Sequence, residues 1–216
     1  MTQTIRARAV LLDMDGTLVD STAAVERIWL AWAQPHGLDP AHVLSVIHGR
    51  QGHQSMSILL PERDHAINLL ENQEMLANES NDVVGVVAIP GSVELLAALL
   101  PHPHAIVTSA DITLMNARMN EARLTVPALT VTAENVSASK PDPEGFLLGA
   151  KLLGIDPADC VVFEDSGAGI QAGKAAGMRV IGVGPHATAH APGFHVDDLT
   201  QIGVAADEQG LTLTIG

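Results

Sequence analysis

Short apolar segments that alternate with helical patterns constrain the fold of this 216-residue chain more than any other feature of its sequence. Each apolar run spans only a few residues and stops at a polar turn, which is typical of a buried strand. The runs are residues 9–12, 105–107, 129–131, 161–163 and 180–183. Helical patterns lie at residues 92–100, 113–123, 143–153 and 168–176. This alternation predicts an α/β fold, a doubly wound parallel sheet of Rossmann-like organisation.

One long segment, residues 21–88, interrupts this alternation. It contains helical patterns at residues 22–36, 40–47 and 62–79 but no convincing central strand. Residues 16–20 and 88–92 are predicted linkers, the second of them carrying Pro90 and Gly91. We therefore expect a core of residues 1–18 and 90–216 with an inserted helical cap domain, residues 19–89, that covers the site. The Leu/Thr alternation at residues 211–215 predicts an edge strand.

Charge and cysteine content limit the partners of the chain. Its 25 acidic and 11 basic residues give a formal net charge of −14, which disfavours nucleic acid and anionic membrane as partners. The single cysteine, Cys160, excludes an intramolecular disulfide, and its apolar neighbours predict a buried, inert thiol. No apolar run approaches the ~20 residues that span a bilayer. These features predict a soluble cytoplasmic protein, a monomer or a weak homo-oligomer.

Polar side chains follow several of the predicted strands. In a doubly wound sheet, ligands bind beyond the carboxyl ends of the strands, so these side chains are expected to share one site. They are Asp13 and Asp15, Thr108 and Ser109, Lys140, and Glu164 and Asp165. Carboxylates, hydroxyls and a lysine at one edge suit phosphoryl transfer, where positioning and charge neutralisation supply most of the catalysis.

The spacing of Asp13 and Asp15 allows a division of labour between two carboxylates. One can attack phosphorus while the other handles the proton of the leaving group. Mg²⁺ prefers oxygen ligands, and Asp165, with Glu164 as helper, supplies acidic ligands from another strand. Lys140 then neutralises the phosphate and Asp13, and Thr108 with nearby backbone amides holds phosphate oxygens.

Each of these patterns also has a purely structural interpretation. The Asp-x-Asp-Gly-Thr sequence that begins at Asp13 is compatible with turn chemistry or a calcium-loop fragment. Thr108 and Ser109 precede a helix that they could cap, and Lys140 before a proline is an ordinary surface pattern. Their joint occurrence, in order, at successive strand ends favours the functional interpretation.

The residues resemble the four signature motifs of the haloacid dehalogenase superfamily. The matching segments are residues 13–21, 108–109, 140–141 and 164–169, and the helical insertion lies where that superfamily carries its first type of cap. The resemblance implies that Asp13 is the nucleophile that forms an aspartyl-phosphate and that Asp15 is the general acid and base. It further implies a Mg²⁺ site formed by Asp13, Asp165 and the backbone carbonyl of Asp15. It also implies a phosphate site formed by Thr108, Ser109 and Lys140.

Differences between members of the superfamily narrow the expected chemistry. Dehalogenases lack the second aspartate, so Asp15 favours phosphoryl transfer, and phosphonate hydrolases use a cap lysine, whereas residues 21–88 contain none. Residues 47–52 resemble the substrate loop of sugar phosphatases, including the 2-deoxyglucose-6-phosphate and glycerol-phosphate hydrolases. This predicts that His48 and Arg50 contact substrate and that Gly49 makes the turn between them. Alternatively, Gly49 only ends a helix and Arg50 is solvated.

The leading hypothesis is therefore Mg²⁺-dependent hydrolysis of a small phosphorylated sugar or polyol. A β-phosphoglucomutase-type mutase is an alternative, since it shares the cap type. A phospho-receiver signalling domain also combines Asp, Thr or Ser and Lys around Mg²⁺, but the helical insertion disfavours it. Four histidines, His102, His104, His186 and His190, are interpreted as surface or loop residues.

Overall fold

A computed structural model describes residues 2–48 and 50–216 of the chain. Its strands are β1 (Gln3–Ala7), β2 (Ala9–Leu12), β3 (Val19–Asp20), β4 (Val87–Ala88), β5 (His104–Val107), β6 (Thr130–Val131), β7 (Cys160–Glu164), β8 (Arg179–Val183), β9 (Phe194–Val196), β10 (Ile202–Asp207) and β11 (Gly210–Ile215). Its α-helices are α1 (Thr22–Ala33), α2 (Pro40–Val46), α3 (Gly52–Leu59), α4 (His65–Asn81), α5 (Ser92–Leu99), α6 (Ile112–Glu121), α7 (Glu144–Leu153), α8 (Gly167–Ala175) and α9 (Gly184–Ala187).

The main sheet has the strand order β6-β5-β2-β7-β8-β9, and every neighbouring pair in it is parallel. Strand β2 lies at its centre, between β5 and β7, with Leu12 level with both Ile106 and Phe163. The predicted doubly wound parallel sheet is thus confirmed, and all five strands expected from the apolar runs are present. The short edge strand β9 was not predicted.

Apolar side chains cover both faces of this sheet. Along β2, Val10 and Leu12 pack into one hydrophobic cluster and Ala9 and Leu11 into another, as the two-residue period of a strand requires. All four are fully buried. Burial on both faces explains why β2 is a continuous apolar run, because neither face is left to carry polar side chains.

The predicted edge strand near the C-terminus is wrong in its placement. Strand β11 is the middle strand of a separate antiparallel sheet of order β1-β11-β10. Its Leu211 and Leu213 are buried against the core while the alternate threonines lie on the other face. The flanking strands were not predicted because β1 is mostly polar and exposed, and β10 is rich in Ala and Gly, which have low β-propensity.

Helices α1 to α4 form an insertion between β3 and β4, which pair antiparallel. A third hydrophobic cluster holds these helices together, and it includes Trp29, Val43, Met56 and Met75. Within the predicted range 62–79, α4 begins at His65, where Asp64 caps it by accepting a hydrogen bond from the Ala66 amide. Helix α3 was not predicted separately. The insertion thus has its own apolar core.

Among the described residues, no helix combines the length and the apolar character needed to cross a lipid bilayer.

Candidate active site

Three neighbouring strands of the main sheet carry the predicted site residues at their carboxyl ends. Asp13 follows the central strand β2, Thr108 follows β5, and Asp165 follows β7. The Asp13 amide donates to the Phe163 carbonyl of the adjacent strand at 3.0 Å, which extends the parallel ladder one residue into the site. The parallel sheet therefore brings these three segments to one edge.

Lys140 approaches this edge from the segment that precedes α7. Its Nζ lies 2.5 Å from Asp13 Oδ1 and 2.6 Å from Glu164 Oε1, and all three side chains are buried. Burial alone lowers the pKa of Lys140, but the two carboxylates outweigh burial and raise it above its usual range. Lys140 is thus a permanent positive charge beside Asp13, and the surface-lysine interpretation is wrong.

Asp13, Glu164 and Asp165 form a compact acidic cluster, with one oxygen of each lying within 4.8 Å of the others. Burial raises the pKa of Asp13 to about 7, and the charge of Glu164 adds to this rise while Lys140 opposes it. Burial also raises the pKa of Asp165, and the charges of Glu164 and Asp13 add to this rise. Three carboxylates facing one ammonium leave an excess of negative charge in a dehydrated place, so this oxygen-rich set fits a hard divalent cation.

Glu164 has both carboxylate oxygens engaged by protein groups. Oε1 accepts from Lys140, while Oε2 accepts from the Ser166 amide at 2.8 Å and from its hydroxyl at 2.9 Å. A Cβ on Gly169 would collide with this carboxylate, so a glycine is needed there for α8 to approach β7. Glu164 thereby joins Lys140 to the start of α8.

Gly16 makes the turn that directly follows Asp15. Its φ of +81° is a left-handed conformation, and a Cβ at this position would collide with the carboxylate of Asp165. The chain therefore passes close to the carboxylate of Asp165 at this turn. The carboxylate of Asp15 accepts a hydrogen bond from Ser21 Oγ at 2.7 Å through Oδ1.

The other oxygen of Asp15 meets an arginine that sequence reasoning missed. Arg118 Nη1 lies 2.8 Å from Asp15 Oδ2, and Nη2 lies 2.7 Å from Glu79 Oε2 at the end of α4. Burial raises the pKa of Glu79 to about 7 against the opposing effect of Arg118. The helical pattern of α6 could have indicated this contact, because it places Arg118 on the same buried face as Leu114 and Met115. A cation on a buried face needs an acidic partner.

Thr108 and Ser109 line the same cavity as Asp13. Thr108 is buried, and its Oγ1 accepts a hydrogen bond from the Ala110 amide at 3.1 Å. The cap of α6 is Asp111, which accepts from the Leu114 amide at 2.8 Å. The residue that caps α6 is thus Asp111 and not Thr108.

His48 and Arg50 also line the cavity, on the side of the insertion. His48 is exposed overall, yet partial desolvation of its ring lowers its pKa against the opposing charge of Glu26. Arg50 is half-buried and donates to the Val46 carbonyl at 3.3 Å, at the end of α2. Gly49, the predicted turn between them, lies outside the described residues.

The cavity has a volume of about 590 Å³, and both the insertion and the sheet domain contribute to its walls. Asp13, Asp15 and Asp165 lie at its sheet end, and Trp29 and Asn72 line its insertion end. Its size is that of a pocket for a small molecule. Two of the histidines interpreted as surface or loop residues, His186 and His190, belong to this wall, because α9 and the turn after it follow β8 at the same edge of the sheet.

This fold and this strand-edge site define a hydrolase of the haloacid dehalogenase type. The family model for haloacid dehalogenase-like hydrolases matches residues 7–177, and the chain belongs to that family. Among curated relatives, hexitol phosphatase A of Escherichia coli (strain K12) is 43% identical over 197 residues, 90% of each chain. The 2-deoxyglucose-6-phosphate phosphatase 2 of Saccharomyces cerevisiae is 31% identical over 95% of this chain and 94% of its own length.

Solved structures repeat the same architecture. A β-phosphoglucomutase from Clostridium difficile superposes with a TM-score of 0.74 over 90% of this chain and 92% of its own, at 23% identity. That likeness concerns the fold. The family together with the named relatives makes this chain a phosphoric monoester hydrolase.

Proposed function

We propose that the chain is a Mg²⁺-dependent phosphatase that hydrolyses a small sugar or polyol phosphate through an aspartyl-phosphate on Asp13. The observation that carries this proposal is Lys140 Nζ, 2.5 Å from Asp13 Oδ1, beside an acidic cluster at the floor of a cavity. We also propose that residues 19–89 are the cap domain over a core of residues 1–18 and 90–216. The two curated relatives named above, a hexitol phosphatase and a deoxyhexose-phosphate phosphatase, support the choice of substrate class.

In the first step, a carboxylate oxygen of Asp13 attacks phosphorus and the bond from phosphorus to the substrate oxygen breaks. Asp15 donates a proton to the departing alkoxide, which leaves as a neutral hydroxyl. In the second step, Asp15 takes a proton from a water molecule that attacks the same phosphorus. The bond between phosphorus and Asp13 breaks, and inorganic phosphate and the free carboxylate are restored.

The remaining residues hold the phosphoryl group and its charge. Lys140 neutralises both Asp13 and a phosphate oxygen, and Thr108 and Ser109 donate hydrogen bonds to the other oxygens. Mg²⁺ bound by Asp13, Asp165 and the Asp15 carbonyl supplies charge neutralisation for the transferred phosphoryl group. Glu164 supports this set through Lys140.

The cap side of the cavity is proposed to bind the organic part of the substrate. A volume of about 590 Å³ accommodates a five- or six-carbon phosphate with some water. His48 and Arg50 offer donors to hydroxyl groups at the cavity wall, and neither forms an ion pair in the part of the chain that the structure describes. These two residues are expected to affect the choice of substrate more than the chemical step.

The test is a screen for phosphate release across sugar, polyol and glycerol phosphates, with and without MgCl₂. We expect release that requires Mg²⁺, and Asp13→Asn should abolish it. Wild-type turnover by Asp13→Asn would exclude the mechanism. Conversion of β-glucose 1-phosphate to glucose 6-phosphate in the presence of a bisphosphate primer, without free phosphate, would favour the mutase instead.

The variant Asp15→Asn distinguishes the proposed role of Asp15 from that of Asp13. Because the metal contact proposed for Asp15 is its backbone carbonyl, this variant should bind Mg²⁺ within about threefold of the wild type by calorimetry. Its turnover should fall by ~10²–10⁴, the usual contribution of a general acid or base.

A further inference from the structure

The guanidinium of Arg118 joins three separate parts of the molecule. It contacts Asp15 in the loop after β2 and Glu79 at the end of α4, from its own position on α6. Only 4% of the Arg118 side chain is exposed, against 8% for Glu79 and 29% for Asp15. Each carboxylate contacts a different terminal nitrogen of Arg118. Because the guanidinium is planar and rigid, it fixes the positions of the two carboxylates relative to each other.

This contact holds Asp15 in one orientation at the cavity wall. One oxygen accepts from Ser21 and the other from Arg118, so rotation about the side-chain bonds would break a charged hydrogen bond in a largely dehydrated place. Each oxygen keeps a further lone pair, so the carboxyl group can still meet a substrate oxygen. Ser21 and Arg118 together thus fix the orientation of the Asp15 side chain.

Glu79 belongs to the insertion, whereas Arg118 and Asp15 belong to the sheet domain. Helix α4 packs against α6, and a second contact, from Ser139 Oγ to Gln54 Oε1 at 2.5 Å, joins α3 to the segment beside Lys140. Without α4 in this place, one terminal nitrogen of Arg118 would lose its partner. The arrangement of Arg118 therefore depends on the docking of the insertion.

We infer that Arg118 is a positioning residue for the proton transfer by Asp15, and that Glu79 makes this positioning depend on the docked insertion. This inference rests on the phosphatase function proposed above. It assigns a role in the reaction to two residues outside the family motifs. The competing explanation is a structural ion pair that only holds α4 against α6.

The two explanations differ in their effect on leaving groups. An alkoxide needs a proton to leave, whereas 4-nitrophenolate leaves without one, so misplacement of Asp15 slows the first step only for alkyl phosphates. The value of kcat/KM reports steps up to the first irreversible one and is therefore compared for two substrates. These are 4-nitrophenyl phosphate and the alkyl phosphate that the wild type hydrolyses best.

For Arg118→Met, we expect the ratio of kcat/KM for alkyl to aryl phosphate to fall at least ~10-fold. Arg118→Lys keeps the charge but lacks the planar group whose two terminal nitrogens each hold one carboxylate, so it should restore only part of this ratio. Glu79→Leu should lower the ratio by at least ~3-fold. The exposed residues Arg123 and Glu74 provide matched controls, Arg123→Met and Glu74→Leu, and these should leave the ratio unchanged.

The double variant Arg118→Met with Glu79→Leu guards against loss of folding. Replacing a buried ion pair with apolar side chains is often neutral or stabilising, and the remaining carboxylate, that of Asp15, is 29% exposed and can be solvated, so this protein should keep its Tm. Since Glu79 acts through Arg118, the ratio of kcat/KM for alkyl to aryl phosphate in the double variant should equal that of Arg118→Met alone. A double variant with the wild-type ratio, or equal losses for both substrates in every variant, would overturn the inference. If the wild type releases no phosphate from any substrate, the proposed function fails instead.

Discussion

Lys140 Nζ and Asp13 Oδ1 lie 2.5 Å apart although 127 positions separate the two residues in the chain. Both side chains are buried, and the same ammonium group also contacts Glu164. The pair places the positive charge needed by a phosphate next to the carboxylate proposed to attack it. It also couples activity to stability, because removal of the Lys140 ammonium would leave two buried carboxylates, Asp13 and Glu164, without their cation.

Lys140→Met should therefore reduce both properties. We expect kcat/KM for phosphate release to fall at least ~100-fold and the free energy of unfolding to fall by about 3–5 kcal/mol. Urea unfolding and phosphate-release assays measure the two effects. Lys151→Met, at an exposed position on α7, is the control and should change neither. Near-wild-type activity of Lys140→Met would contradict the role of this pair.

Gly16→Ala tests the close passage of the chain by the carboxylate of Asp165. Gly16 and Gly154 both have positive φ, +81° and +69°, but only at Gly16 would a Cβ meet Asp165, and nothing lies within 4 Å of one at Gly154. Both alanine variants should lose about 1–2 kcal/mol from backbone strain. Only Gly16→Ala should also raise the Mg²⁺ concentration for half-maximal activity, by at least ~10-fold. Equal Mg²⁺ requirements in the two variants would contradict this geometry.

The acid limb of the pH–rate profile should depend on the Mg²⁺ concentration. Burial raises the pKa of Asp13 to about 7, so without a bound cation only part of the protein has this carboxyl ionised and able to attack near neutral pH. A cation favours the ionised form, so saturating MgCl₂ should move the acid limb to lower pH than subsaturating MgCl₂ does. Profiles at the two concentrations measure this shift. A limb that stays in place would show that protons and metal do not compete for Asp13.

Cys160 should be unreactive in the folded protein. Its side chain is fully buried on β7, and burial raises the pKa of the thiol to about 11, so about 0.1% is thiolate at pH 8. Iodoacetamide at this pH should modify it only after unfolding in urea, as mass spectrometry can show. Rapid and complete alkylation of the native protein would mean that β7 opens locally.

Local sequence was sufficient to predict that the main residues of the candidate site lie at one edge of the sheet. Asp13, Thr108 and Asp165 each follow an apolar run, and the rule that parallel strands present their carboxyl ends together is enough to bring them to one edge. The central strand β2 is recognisable because burial on both faces leaves it without polar residues. The turn at Gly16 was also expected, though its contact with Asp165 was not.

The contacts between the insertion and the sheet domain could not be predicted in this way. Arg118 and Glu79 are 39 positions apart and belong to helices whose patterns show only which face is buried. The positions of His186 and His190 in the cavity wall could not be predicted either. Their local sequence indicates only loop residues, and it is the place of β8 in the sheet that brings them to the cavity. In β10, weak strand propensity concealed a strand that exists through its pairing with β11.

The sequence by itself determined the parallel sheet, the helical insertion and the order of acidic, hydroxyl and lysine groups along the strand ends. These depend on periodicity and turn chemistry, which act over a few residues. Tertiary structure alone decided that Lys140 is buried against Asp13 and Glu164, and that Arg118 joins Asp15 to Glu79. The reason is that a buried charge takes its partner from whichever segment packs against it, and that packing is set by the whole fold.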